Sequence, residues 1–306
     1  MRQSTRQLLV IENPLDVNQL VTMSTASNAN DFWTCDSKAV RVTQLSQFMG
    51  NVEASFEIEY RPFQLSSTTF ATEHLLKISS KELGEYRIKL VLTAQPPATR
   101  FCLNFEVALG GQQMEIFSFP VFNKSKCDFL CTSAEKKVGG NGNGVFSHPK
   151  SITVDAVSTW EGDLASVNVI FDPTEVGQSS DLLRISHPEG GIYECDLKAT
   201  CIPPIPQGPF SILPGASVVI PFRNCFAMSQ VWSFSVDSAS FRLQTTSTTV
   251  AAKAEGSCTV FYDPSKGQVS GGKIATSMAK LFVICGANPP WIYYLKGVES
   301  AAPAGR

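Results

Sequence analysis

One short phrase occurs three times along this chain, and it constrains the fold more than any other feature. Ile58-Glu59-Tyr60-Arg61-Pro62 returns as Val169-Ile170-Phe171-Asp172-Pro173, and again as Val260-Phe261-Tyr262-Asp263-Pro264. Each reads β-branched residue, any residue, aromatic, any residue, proline. A motif that returns at domain-sized spacing marks an array of similar units. The residues around it alternate: Phe56, Ile58 and Tyr60, then Val167, Val169 and Phe171, then Cys258, Val260 and Tyr262 fall on one side of an extended strand. This period of two predicts a half-buried strand, and the proline ends it because it has no N–H to give to a ladder. Ile58, Tyr60, Pro62, Val169, Phe171, Pro173, Val260, Tyr262 and Pro264 therefore define a structural repeat, with the aromatic in the core and the proline at the strand end.

Two further elements recur in the same order. Leu75-Leu76-Lys77-Ile78, Leu182-Leu183-Arg184-Ile185 and Leu281-Phe282-Val283-Ile284 each lead through a Gly- or Pro-containing turn into a closing strand, Tyr86–Leu90, Tyr193–Leu197 and Trp291–Leu295. Strand, turn, strand predicts a hairpin at the end of every unit. Each unit also opens on a strand that ends in asparagine, at Asn13, Asn123 and Asn224, where an Asn-led turn is expected. The three elements divide the 306 residues into units at 1–97, 98–204 and 205–300 with a tail at 301–306. Such units have the size of a β-sandwich domain. Proline-rich joints at Gln95-Pro96-Pro97 and Pro203–Pro209 should hold neighbours close, with limited swing. The second unit has strand-like sequence ahead of its opening strand, with Phe101, Leu103, Phe105 and Val107 alternating. The first has none, so it is expected to lack a first strand, as in a fragment of a longer array or an unusual first domain.

Composition narrows the function. Charged residues are 17% of the chain and the net charge is −2, without the clustered Lys and Arg that nucleic acid requires. Leu8-Leu9-Val10-Ile11 is too short for a secretory leader, and the apolar stretch from Leu281 to Leu295 is too short and too proline-rich to cross a membrane. The nine cysteines are odd in number and do not recur from unit to unit, which favours reduced thiols over a disulfide framework.

No residue set assembles chemistry. Gly139–Gly144 is the one Gly-rich loop, but no helix or Lys-Ser/Thr follows, so it reads as an inter-strand loop rather than a phosphate cradle. Cys127 and Cys131 have a spacing zinc can use, but no second pair completes four ligands; two buried thiols on one strand face are expected. His74, His148 and His187 lie near predicted turns and read as surface residues. Asn123-Lys124-Ser125 fits a glycosylation sequon but has a structural reason already. Asp172 and Asp263 precede prolines at matched strand ends and read as turn residues. No catalytic residue, metal or cofactor is expected.

With these elements in place, Phe171–Gly177, Leu182–Ser186, Gly191–Tyr193 and Leu197–Thr200 resemble the ASH domain, an immunoglobulin-like relative of the major sperm protein fold. Pro203–Phe210 is similar to the linker of such units in Hydin-like giant cilia- and flagella-associated proteins, and Ile11–Pro14 to the opening of another unit. The third repeat departs from the pattern, with Ser265-Lys266-Gly267 in place of the Thr-Glu-Val-Gly turn.

The resemblance implies an all-β chain of three tandem immunoglobulin-like sandwiches. It also implies a non-enzymatic scaffold of the axonemal central apparatus, in the cytoskeleton of a motile cilium or flagellum. The partners implied are other axonemal and microtubule-associated proteins, held through sandwich faces and edge strands; nucleic acid, membrane and small-molecule substrates are not. The competing readings are a cytosolic adaptor of the major sperm protein type, which would present a basic face to short peptide motifs, and an extracellular adhesion array, which would require disulfides.

Overall fold

Alternating apolar residues punctuated by Gly, Pro and Asn give strands, and among the described residues the regular elements are all strands but for one 3-10 turn at Pro264–Lys266. The structure, a computed structural model, describes residues 4–28, 31–34, 40–62, 72–95, 99–133, 144–188, 190–266, 269–270, 273–274 and 277–298. The joint at Pro96-Pro97, most of the Gly139–Gly144 loop, Cys35 and the 301–306 tail lie outside the described residues.

The first sandwich comprises β1 (Thr5–Glu12), β2 (Val21–Asn28), β3 (Asp31–Thr34), β4 (Val40–Gln44), β5 (Glu53–Tyr60), β6 (Thr72–Ser80) and β7 (Gly84–Leu92). Its sheets run β1-β5-β4 and β3-β2-β6-β7. The second comprises β8 (Phe101–Ala108), β9 (Gln113–Val121), β10 (Cys127–Ser133), β11 (Phe146–Ser147), β12 (Ser151–Val154), β13 (Asp163–Phe171), β14 (Gly177–His187) and β15 (Gly191–Ile202), with sheets β11-β13-β9 and β12-β10-β14-β15-β8. The third adds β16 (Gln207–Ile212), β17 (Ser217–Arg223), β18 (Gln230–Val236), β19 (Phe241–Leu243), β20 (Ser247–Val250), β21 (Glu255–Tyr262), a small hairpin of β22 (Val269–Ser270) and β23 (Lys273–Ile274), then β24 (Met278–Ile284) and β25 (Trp291–Gly297). Its sheets run β17-β21-β19 and β16-β25-β24-β18-β20. The fold is three tandem immunoglobulin-like β-sandwiches.

The recurring phrase ends β5, β13 and β21, each the middle strand of a three-stranded sheet. Ile58, Val169, Phe171, Val260 and Tyr262 are buried, as is Pro173, while Tyr60, Pro62 and Pro264 are half-buried. The closing hairpins are β6–β7, β14–β15 and β24–β25, all antiparallel. In the second and third sandwiches the closing strand also pairs with a parallel neighbour on its far side, β8 against β15 and β16 against β25. Among the described residues no strand pairs with the far edge of β7.

The repeated asparagine does more than lead a turn. Asn13, Asn123 and Asn224 are 0%, 4% and 0% exposed. Asn13 donates from Nδ2 to the carbonyls of Val17 at 3.0 Å, Phe48 at 3.3 Å and Met49 at 3.0 Å. Asn123 does the same to Ser125, Val154 and Asp155, and Asn224 to Met228, Val250 and Ala251. The Oδ1 atoms of Asn13 and Asn224 accept from the amides two residues on, Leu15 and Phe226, both at 3.0 Å. Each carboxamide thus fastens the loop after the opening strand to the loop that leads into the phrase-bearing strand. No other side chain of similar size offers two donors and an acceptor in one plane.

Cys127 and Cys131 lie buried on one face of β10, as their spacing predicts. The eight described cysteines are all free, and only Cys102 among them is not buried. Burial in apolar surroundings raises the Cys195 thiol to about 12 and those of Cys201, Cys225 and Cys258 to about 11.

Two outcomes are expected. Asn224→Ala should destabilise the chain by about 1–3 kcal/mol, because it strands buried carbonyls; a urea titration reads this as a lower midpoint, and Asn224→Asp, whose ionised carboxylate cannot donate, should lower it as well. Alkylation of the native chain at pH 8, mapped by mass spectrometry, should label Cys102 well ahead of the seven buried cysteines, with labelling of those seven appearing on denaturation.

Candidate functional site at the unit junctions

Among the described residues no three His, Cys, Asp or Glu side chains are grouped to hold a metal ion. The histidines are dispersed. His148 is half-buried in the stretch before β12, and His187 ends β14, where its Nδ1 accepts from the Gly190 amide at 3.0 Å. His74 corrects the expectation of a surface residue: it is 6% exposed, on the inner face of β6 with Leu76 and Ile78. Burial lowers its pKa.

The built polar geometry lies where one sandwich meets the next, and it draws on the phrase itself. The residue between the aromatic and the proline, Arg61 or Asp172, reaches across to the following sandwich. The residue just before the repeated asparagine, Phe122 or Arg223, receives it.

At the first junction, the Arg61 guanidinium lies 4.1 Å from the centroid of the Phe122 ring and 4.8 Å from that of Trp160. Its Nη1 donates to the Trp160 carbonyl. The Trp160 indole N–H donates to Glu59 Oε2 at 3.0 Å, and Glu59 Oε1 lies 3.5 Å from Arg61 Nη2. Arg41 pairs with Glu161 at 3.3 Å on the rim. A cation held between two aromatic faces contributes about 0.5–2 kcal/mol, more as water is excluded. Glu59 is 5% exposed; burial disfavours its charge, but hydrogen bonds from Ser4 and Trp160 and the charges of Arg6 and Arg61 outweigh this and hold its carboxyl below the ordinary range.

At the second junction the same two positions form an ion pair. Arg223 Nη1 and Nη2 each donate to Asp172 at 2.9 Å, a two-pronged pair, and Lys253 Nζ adds a third contact at 2.8 Å. Lys253 also donates to the Cys225 carbonyl at 2.7 Å. Asp172 is therefore not only a turn residue. Burial opposes its charge, yet the bonds from Arg223, Lys253 and Gln112 hold its carboxyl at about 2. A buried contact lies alongside: the Trp291 indole packs over the chain and its N–H donates to the Leu109 carbonyl at 3.0 Å. The chain passes under that indole at Gly110, whose φ of +98° suits glycine and where a Cβ would come within 2.8 Å of the ring nitrogen. As a result the buried apolar residues of the second and third sandwiches form one contiguous cluster, whereas those of the first form their own.

The third copy of the position, Asp263, bonds locally instead, accepting from the Ser265 amide at 3.1 Å and hydroxyl at 2.6 Å. The phrase therefore supplies a variable junction residue on a fixed strand end. Its role was hidden because its partners come from the next repeat.

Asp172 has a folded pKa of about 2, below its ordinary 3.8. Its contribution is therefore complete above pH ~4 and lost as pH falls towards 2. Asp172→Asn should lower stability at pH 7, and the difference from the parent should shrink in thermal melts taken between pH 4 and pH 2.

No family model matches the chain. Among curated proteins, it is 28% identical over 306 residues to the hydrocephalus-inducing protein of Mus musculus, with 97% of this chain and 5% of that protein covered. It is 29% identical over 309 residues to the hydrocephalus-inducing protein homolog of Homo sapiens, again with 97% and 5% covered. The chain thus spans 5% of the length of these relatives. Among solved structures, the ASH/PapD-like domain 7 of human CEP192 covers 38% of this chain and 95% of its own at 14% identity, with a TM-score of 0.29. The periplasmic chaperone SfaE covers 66% and 97% at 11% identity, with a TM-score of 0.24. Along nearly its whole length, then, the chain is similar to a short segment of the hydrocephalus-inducing protein, Hydin.

Proposed function

We propose that this chain is a non-enzymatic scaffold segment of the axonemal central apparatus in a motile cilium or flagellum. Its units, spanning residues 1–97, 98–204 and 205–300, would hold neighbouring axonemal proteins, among them microtubule-associated ones, through sandwich faces and edge strands. The observation that carries this reading is the relatedness to Hydin across a tandem array whose developed polar geometry lies between units. Residues that in an enzyme would converge on a substrate here converge on the next sandwich: Asp172, Arg223 and Lys253 satisfy one another, and so do Glu59, Arg61 and Trp160. A network whose charges are mutually spent offers no general acid or base. It does fix the relation of one unit to the next, and several modest contacts made by a fixed array add up through effective concentration.

Among the described residues no helix is long and apolar enough to cross a membrane. The proposal is tested by immunolocalisation and by fractionation of isolated axonemes. The expected result is retention in the axoneme after detergent extraction, with label along the central pair. A diffuse cytosolic signal, or complete release with detergent, would sink it.

A further inference from the structure

The residue nine positions before each phrase aromatic has a left-handed backbone: Asn51 with a φ of +53°, Gly162 with +85° and Lys253 with +57°. Asparagine and glycine adopt this conformation readily, and lysine seldom does. The position is built alike in the first and third sandwiches. The amides of Asn51 and Lys253 donate to the carbonyls of Leu15 at 2.7 Å and Phe226 at 3.2 Å, in the loop after the opening strand.

At the two junctions this position is tied to the residue before the asparagine. A Cβ at Gly162 would run into the Phe122 ring, on which Arg61 stacks. An aromatic at 122 therefore requires glycine at 162. Where Arg223 stands in place of Phe122, a side chain is admitted. Lys253 there donates to Asp172 Oδ2 at 2.8 Å and to the Cys225 carbonyl at 2.7 Å, beside the two bonds from Arg223. Each pair of receiving residues fits only its own facing residue. An arginine in place of Asp172 would meet two like charges, Arg223 and Lys253. An aspartate in place of Arg61 would meet the negative faces of two rings, Phe122 and Trp160, with the Glu59 carboxylate beside it.

We propose that positions 61, 122 and 162, and positions 172, 223 and 253, are matched sets that decide which sandwich can dock on which. A receiving end made of Phe122 and Gly162 takes a sandwich whose strand end carries a cation. One made of Arg223 and Lys253 takes a sandwich whose strand end carries a carboxylate. Similar units in tandem are prone to docking on the wrong neighbour as they fold, and repulsion at a mismatched joint discriminates against this. Lys253 holds its left-handed backbone through the neighbour's Asp172, so the third sandwich's loop takes its shape against the cognate partner. The inference deepens the scaffold reading above, since it concerns how the array is put in order. Its test uses the purified chain, so it can fail while localisation in the axoneme holds, and the reverse.

The test compares full-length variants by hydrogen–deuterium exchange and urea titration. Arg61→Asp together with Asp172→Arg exchanges the two facing residues at constant composition and net charge. Exchange should quicken roughly tenfold or more at residues 157–162, 223–226 and 251–254, while β5, β13 and β21 stay protected. Asp172→Arg combined with Arg223→Asp and Lys253→Gly remakes an ion pair of reversed sign, and should return residues 223–226 and 251–254 close to the parent rate. Lys253→Gly should lower the urea midpoint of the parent, where two bonds are lost. In an Asp172→Ala background it should raise the midpoint, because relief of the left-handed backbone then outweighs the one bond that remains. Parent-like exchange in the swapped chain, no recovery with the reversed set, or the same sign for Lys253→Gly in both backgrounds would each overturn the proposal.

Discussion

Each sandwich depends on one buried carboxamide. The opening strand and the phrase-bearing strand are antiparallel neighbours, but the loops that leave one and enter the other run through the interior end of the sandwich, where backbone carbonyls would lack partners. Asn13, Asn123 and Asn224 supply donors to those carbonyls. An unmade hydrogen bond in such a place costs more than a made one gains, so the choice of residue is narrow. With these loops fastened, the phrase strand is held in the middle of its sheet and its aromatic faces the core. The residue after the aromatic then emerges at the end of the sandwich, where the next unit begins.

The junctions follow from that placement. Because the strand end and the asparagine loop are positioned by the same amide, the residues beside them, at 61 and 122 or at 172 and 223, are brought within reach whatever their chemistry. One junction uses a cation on aromatic rings, the other a two-pronged ion pair reinforced by a lysine. Scaffold geometry is constant, and side-chain identity sets how each joint is held.

The closing hairpins and the phrase strands were legible because their signals are local: period-two alternation and a Gly- or Pro-bearing turn between Ile185 and Tyr193. The thiols of Cys127 and Cys131 were legible for the same reason, four residues apart on one strand face. The burial of His74 is also carried by a local signal, since it shares parity with Leu76 and Ile78, and that alternation outweighs its nearness to a turn. The roles of Asp172 and Arg61 were not legible. Their partners lie in the following repeat, and a position occupied by Arg in one copy and Asp in two others looks unconstrained until the facing residue is known. The reach of the asparagines was likewise hidden, because a turn residue and a buried cross-loop donor carry the same one-residue signal.

The common core of the second and third sandwiches has a mechanical consequence. A bending moment applied along the array finds two joints of different compliance. Flexing the joint at Leu109 and Trp291 opens an apolar seam to water, so resistance begins at once and rises with the area uncovered. The joint around Arg61 links two separate apolar cores through cation–ring and hydrogen-bonded contacts, so bending it uncovers less apolar surface. Bending should therefore meet less resistance between the first and second sandwiches than between the second and third, which share a core.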